Sequence, residues 1–233
     1  MRQGGHMVVR SAFVPSTLSS LDQLRAGRLT RRIPQLLFGL CLYGWSMAMM
    51  IESGLGLDPW DVFHQGLSIY LPLSFGQVVI LVGAAVLVFW IPLRQWPGLG
   101  TVLNVVVIGL AADMGLALLE RPDSLAVRVT LLVAGVVLNG LAGALYIGTH
   151  LGAGPRDGIT LGLVRLTGRS VRLMRSFVEV IVLVVGFVLG GTVGAGTVLY
   201  ALGIGPLLQL FLPYCEVRLK AVALTPAAPS LDP

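Results

Sequence analysis

Six apolar stretches, near 33–53, 73–93, 99–119, 129–149, 173–191 and 194–214, decide what this chain can fold into. Each runs for about the 20 residues an α-helix needs to cross a bilayer. Inside lipid the backbone has to satisfy its own hydrogen bonds, so such stretches form unbroken helices. Composition agrees, since 55% of the 233 residues are apolar, 12% are charged and the mean hydropathy is +0.87. A soluble domain carries roughly 25% charged residues. The expectation is an all-α polytopic membrane protein. Its excess of 16 Lys and Arg over 11 Asp and Glu then points to cytoplasmic loops and anionic lipid. No basic patch interleaved with aromatics accompanies it, so nucleic acid is not an expected partner.

The chain is also duplicated. Sliding it by 96 residues lays LFGLCLYGWSMAMMIESGLGLDPWD (37–61) over VAGVVLNGLAGALYIGTHLGAGPRD (133–157), and GLGTVLNVVVIG (98–109) over GAGTVLYALGIG (194–205). Without gaps, 34–117 matches 130–213 at 26 of 84 positions; composition alone gives on the order of 8. Gly39, Gly44, Gly56, Pro59, Asp61, Gly66, Gly98, Gly100, Thr101 and Gly109 each find an identical mate. The expected organisation is a disordered cytoplasmic tail (1–32), membrane repeats at 33–120 and 129–216, and a C-terminal tail at 217–233. The leader lacks an apolar core with a cleavage site, so it is not read as a signal peptide. It is acid-poor like an organellar transit peptide, but the charge rule favours a tail.

Each repeat holds three long spans, an odd number, so the second copy enters from the opposite face and the repeats are of inverted topology, as in transporter folds. With both termini cytoplasmic, 14 cationic residues lie inside and 2, Arg121 and Arg128, outside. An eight-span alternative with parallel repeats, in which the segments after Pro59 and Pro155 also cross, gives the same 14 inside. Those segments supply about 12 residues each, short of the roughly 17 a span needs. The second carries Arg156, Asp157 and Arg165, costly against lipid. Six long helices plus two short re-entrant or interfacial helices is therefore the favoured reading.

The candidate site comes from those short segments. Asp58 is a good N-cap and Pro59 suits a first helical position; in the second copy Gly154 stands at the cap and Pro155 repeats the start. Asp61 and Asp157 fall in the first turn, where a carboxylate favours the helix dipole, which is the bland explanation for both. The copies differ at Trp60 and His64 against Arg156 and Thr160, so a site built from them is asymmetric and bears charge of both signs. Glu52, Asn104, Asp113, Asn139 and Glu179 are further polar residues in or near spans. Asp113 is the expected proton-coupling candidate, whereas Glu179 is read as an i,i+4 partner of Arg175. His6, His64 and His150 are too scattered for a metal site, Cys41 and Cys215 mark neither a disulfide nor a metal, and no catalytic motif occurs. Neither a cofactor nor enzymatic activity is expected.

The run GLGLDPWDVFHQGLS, followed by IPLRQWPGLGTVLNVVVIGLAAD (91–113) and GAGPRDGITLGLVRLTGRS (152–170), resembles the YczE/YitT-like family of bacterial integral membrane proteins. The likeness spans about 33–213 and is most specific at PWDVFHQGL and GPRDG. It implies a bacterial cytoplasmic membrane and assigns no substrate. The functional expectation is a transporter-like protein for a small molecule or ion, with Asp58, Pro59, Asp61, His64, Asp113, Pro155, Arg156 and Asp157 as binding candidates. The alternative is a non-transporting accessory protein that docks a membrane partner or a second copy through its Gly-rich faces.

Overall fold

The computed structural model describes residues 20–93, 95–217 and 219. Among them every regular element is helical: α1 (Ser20–Arg25), α2 (Leu29–Ser53), α3 (Pro59–Ser68), α4 (Phe75–Trp90), α5 (Leu99–Leu118), α6 (Leu125–Ile147), α7 (Pro155–Thr167), α8 (Val171–Val188) and α9 (Ala195–Cys215). Arg2, His6, Arg10, Arg94, Arg218 and Lys220 lie outside the described residues, as does most of each expected tail. Where the first tail is described it is structured, for α1 lies within it and α2 begins at Leu29, ahead of the expected 33. Val217, assigned to the second tail, is buried and donates its amide to Gly148 O.

Each of the six apolar stretches contains a helix. Four of these, α2, α5, α6 and α9, are long and apolar enough to cross a membrane. Pro92, just past the end of α4, cannot continue it. With 16 residues α4 spans about 24 Å, and α8 carries Arg172, Arg175 and Glu179 in its first half. The short helices α3 and α7 have 10 and 13 residues, or about 15 and 20 Å. Neither length reaches across a hydrocarbon core of about 30 Å.

At the centre α2 packs along α6 and α5, and α6 packs along α9. Small residues permit the approach: a Cβ on Gly39 would meet Leu145 and Tyr146, and one on Gly135 would meet Met49 and Met50. These contacts are repeat mates of one another. The packed face of α2 supplies Leu36, Leu40, Met47, Met50 and Ile51 to the main apolar core, which accounts for its being the most enclosed of the four long helices.

The halves also exchange partners. Helix α3 of the first half packs on α8 of the second, and α7 of the second packs on α4 of the first. Gly100 N bonds Leu151 O at 2.7 Å while its mate Gly196 N bonds Leu55 O at 2.8 Å. The chain at Gly56 (φ 116°) and Gly152 (φ 134°) takes a conformation that side chains disfavour, and each glycine lies against the opposite half, at Gly194 and at Gly98 and Thr101.

Two arginines complete the exchange. Arg32, fully buried, donates to Thr149 O (2.7 Å), His150 O (3.0 Å), Gln23 O (2.7 Å) and Gly27 O (3.0 Å). Arg128 donates to Ser53 O (2.7 Å) and Gly54 O (3.1 Å). Ser53 and Gly54 are the mates of Thr149 and His150, so each arginine caps the C-terminal carbonyls of the other half's first long helix. The start of α2 therefore lies at the end of α6, and the reverse. Read as a tail residue, Arg32 is instead a structural cap. The 96-residue register extended two positions back pairs it with Arg128, a signal the sequence does carry.

Candidate functional site

A cavity of ≈ 160 Å³ opens where the first turns of α3 and α7 meet, between α2, α4, α5, α6, α8 and α9. Two short helices that begin here bring their free backbone N–H groups and dipole ends to the cavity. Asp58 caps α3 as expected, its Oδ1 accepting from Trp60 N (2.8 Å) and Asp61 N (3.0 Å). At α7 Gly154 offers no side-chain cap, and a Cβ there would come within 2.9 Å of the Tyr146 hydroxyl. Glycine at that cap leaves room for the tyrosine.

The centre of the site is an ion triad between the halves. Arg156 Nη1 lies 3.6 Å from Asp58 Oδ1, and Nη2 lies 3.5 Å from Asp61 Oδ1. These distances are ion pairs but exceed the N–H···O hydrogen-bond range of about 2.7–3.2 Å, so the guanidinium is loosely held. It sits 5.1 Å above the Trp60 ring, a cation–π position. Trp60 and Arg156 are repeat mates, so one position of the duplicated motif stacks on its own counterpart. His64 Nδ1 is 3.3 Å from Asp61 Oδ1, and the ring is walled by Trp60, Phe63 and Phe75.

Asp58, Asp61 and His64 are no more than 2% exposed. One positive charge faces two buried carboxylates. Asp58 Oδ2, Asp61 Oδ2 and the Tyr146 hydroxyl have no hydrogen-bond partner, and buried polar atoms left unpaired are costly. A second pair, Arg175 Nε to Glu179 Oε1 at 2.9 Å, has the expected i,i+4 spacing but also lines the cavity, beside Asp157. Tyr43, Asn104, Asn139 and Tyr200 face it too. They form two mated positions, each filled by tyrosine in one half and asparagine in the other. Tyr200 donates to Asn139 Oδ1 (3.1 Å), and Asn139 donates to Ser46 Oγ (2.9 Å).

Of the sequence candidates, Asp58, Pro59, Asp61, His64, Pro155, Arg156 and Asp157 converge here. Asp113 does not. Its carboxylate accepts from Ser74 Oγ and from Gly76 N (2.7 Å) at the start of α4, away from the cavity. The expected coupling residue is a helix-start anchor, because a carboxylate close to free N–H groups finds partners there. Glu52 is likewise absent from the lining. Tyr43, Tyr146 and Tyr200 were not singled out in the sequence; a tyrosine inside an apolar span differs little in pattern from a lipid-facing aromatic.

Comparison with known proteins agrees with the membrane reading. A family of unknown function, DUF6198, matches residues 30–213. An uncharacterised protein of Haemophilus influenzae is 41% identical over 182 residues, 78% of this chain and 84% of the relative. The uncharacterised membrane protein YczE of Bacillus subtilis is 34% identical over 198 residues, 84% of this chain and 92% of the relative. The uncharacterised protein YyaS of the same bacterium is 29% identical over 182 residues, with 76% and 90% covered. No solved structure matches. With its apolar helices and these relatives, the chain is an integral membrane protein of YczE-like type.

Proposed function

The chain belongs to the family of unknown function DUF6198, and we propose that it is a transporter-like protein that binds a small solute between its two repeats. The observation that carries this reading is the Asp58–Asp61–Arg156 triad. Two buried carboxyl groups loosely paired with one half-buried guanidinium stand at the meeting of two helix starts, beside a cavity lined by both halves. Broken helices aimed at a shared central site are how many secondary transporters hold substrates. Buried charge in a membrane protein is costly enough to mark function. On this reading the protein performs no covalent chemistry.

The same proposal takes the repeats as inverted, with six spans, α3 and α7 re-entering from opposite faces, and both termini cytoplasmic. The reciprocal arginine caps support it, since they bring the start of each half's first helix to the end of the other's. A periplasmic signal from a reporter in the 119–124 link is the expected result, and a cytoplasmic one overturns the six-span arrangement.

Function is tested by solute-dependent stabilisation of the purified protein and by flux in proteoliposomes. Both are expected to fall by an order of magnitude or more in Asp61→Asn and Arg156→Gln. Binding indifferent to both substitutions, or a partner helix occupying the cavity, sinks the reading in favour of an accessory protein.

A further inference from the structure

Resting on that solute-site reading, we propose that the ligand is a small primary amine, bound as its ammonium ion at Asp58 and Asp61. The charges decide the class. The cationic side chains lining the cavity are Arg156 and Arg175, and each already faces carboxylate, Arg156 at Asp58 and Asp61 and Arg175 at Glu179. No lining cation is left over to receive an anion. The uncommitted groups are the opposite kind. Asp58, whose side chain lines the cavity, and Asp61 behind it each keep one buried oxygen, Oδ2, without a donor, and the two carboxyl groups face a single guanidinium.

A ligand that completes this site brings N–H donors and one positive charge. An ammonium group has three such donors and no acceptor. One side of the wall is apolar: along α4 and α5 the cavity is bounded by Val79, Val82, Val86, Val105 and Ile108, while Tyr43, Asn104, Asn139 and Tyr200 line it elsewhere. The apolar side suits a hydrocarbon body. A volume of ≈ 160 Å³ is close to the roughly 150 Å³ cavity that accepts benzene in another protein, so the body is about six heavy atoms or fewer. The ammonium settles against the carboxyl groups, and the apolar part lies along α4 and α5.

The test uses the full chain in detergent, with n-butylammonium as probe and butan-1-ol, butyrate and potassium as its counterparts. Millimolar butylammonium is expected to raise the melting temperature by several degrees, with the three counterparts inert. Asp58→Asn and Asp61→Asn are expected to weaken the response at least about tenfold. Asparagine at 58 still caps α3, and the comparison of probes on the unaltered protein stands even where a variant folds poorly. Equal stabilisation by butanol overturns the proposal by showing an apolar cavity alone. Potassium stabilisation overturns it in favour of an inorganic ion. If butyrate stabilises and Arg156→Gln abolishes that effect, the amine is wrong while the solute site survives. If no probe and no member of a metabolite library shifts the melt, both readings fall.

Discussion

The two Pro-Asp segments began as copies and now do different work. In the first, Asp58 caps its helix, and Asp58, Asp61 and His64 are sealed from solvent; in the second, a glycine caps, Thr160 replaces the histidine, and Arg156 reaches out to the first copy's carboxylates. Positions that stayed identical, such as Gly56 and Gly152 or Gly100 and Gly196, hold the halves together. Positions that diverged, Asp58 against Gly154 and Trp60 against Arg156, make the charged site. Framework lies in what the copies share and chemistry in where they part.

The sharpest way to break that comparison is through the arginine caps. Arg32→Ala strands four carbonyls in a buried environment and is expected to cost about 3–5 kcal/mol. Arg128→Ala frees two, in a partly exposed setting, and is expected to cost about 1–2 kcal/mol. Thermal melts of the two variants in one detergent check this, and equal losses would show the caps to be interchangeable despite their different burial.

Next in size is a pair of contacts in which bulk has changed sides. Trp90 of α4 fills the space over Gly158 of α7, while the mates are Gly186 of α8 against the Val62–Phe63 backbone of α3. Trp90→Gly is expected to cost about 3–5 kcal/mol, and Gly158→Val alone about 1–3 kcal/mol through overpacking. The double variant imitates the other half's contact and is expected to recover part of the summed loss. Strict additivity in a double-mutant cycle would mean that the two contacts are not equivalent.

A smaller effect separates tight from ordinary glycines. Gly186→Ala meets backbone atoms and is expected to lose about 1–3 kcal/mol. Gly143→Ala, whose nearest neighbour is Leu208 Cδ1 at 3.5 Å, is expected to be within about 0.5 kcal/mol of the parent. At the low end of the Gly186 range, Ser74→Ala removes the cap of α4 for about 1 kcal/mol and leaves solute-dependent stabilisation unchanged. A loss of binding in that variant would return Asp113 to the functional site.

These contrasts follow how legible each part was in the sequence. The helices and the duplication were readable because hydropathy and glycine spacing are local, repeated signals. Asp58 as a cap was readable too, since Asp-Pro carries its own mechanism. What escaped depends on who stands opposite. Arg32 in a basic stretch looks like any headgroup contact until the end of α6 is brought to it. Asp113 looks like an intramembrane carboxylate until the start of α4 supplies its donors. The tyrosines of the cavity gave no pattern at all, because a single aromatic in an apolar run has no period by which to tell inward from outward.

The crossed arginines also bear on assembly. A clasp in which each half closes the other's open helix end works equally well between two identical single-repeat chains. In this chain the two halves are joined by the link at 119–124. During synthesis the first half leaves the ribosome with the carbonyls of Ser53 and Gly54 still waiting for Arg128. A chain severed at that link should therefore reassemble only when both fragments are made in the same cell.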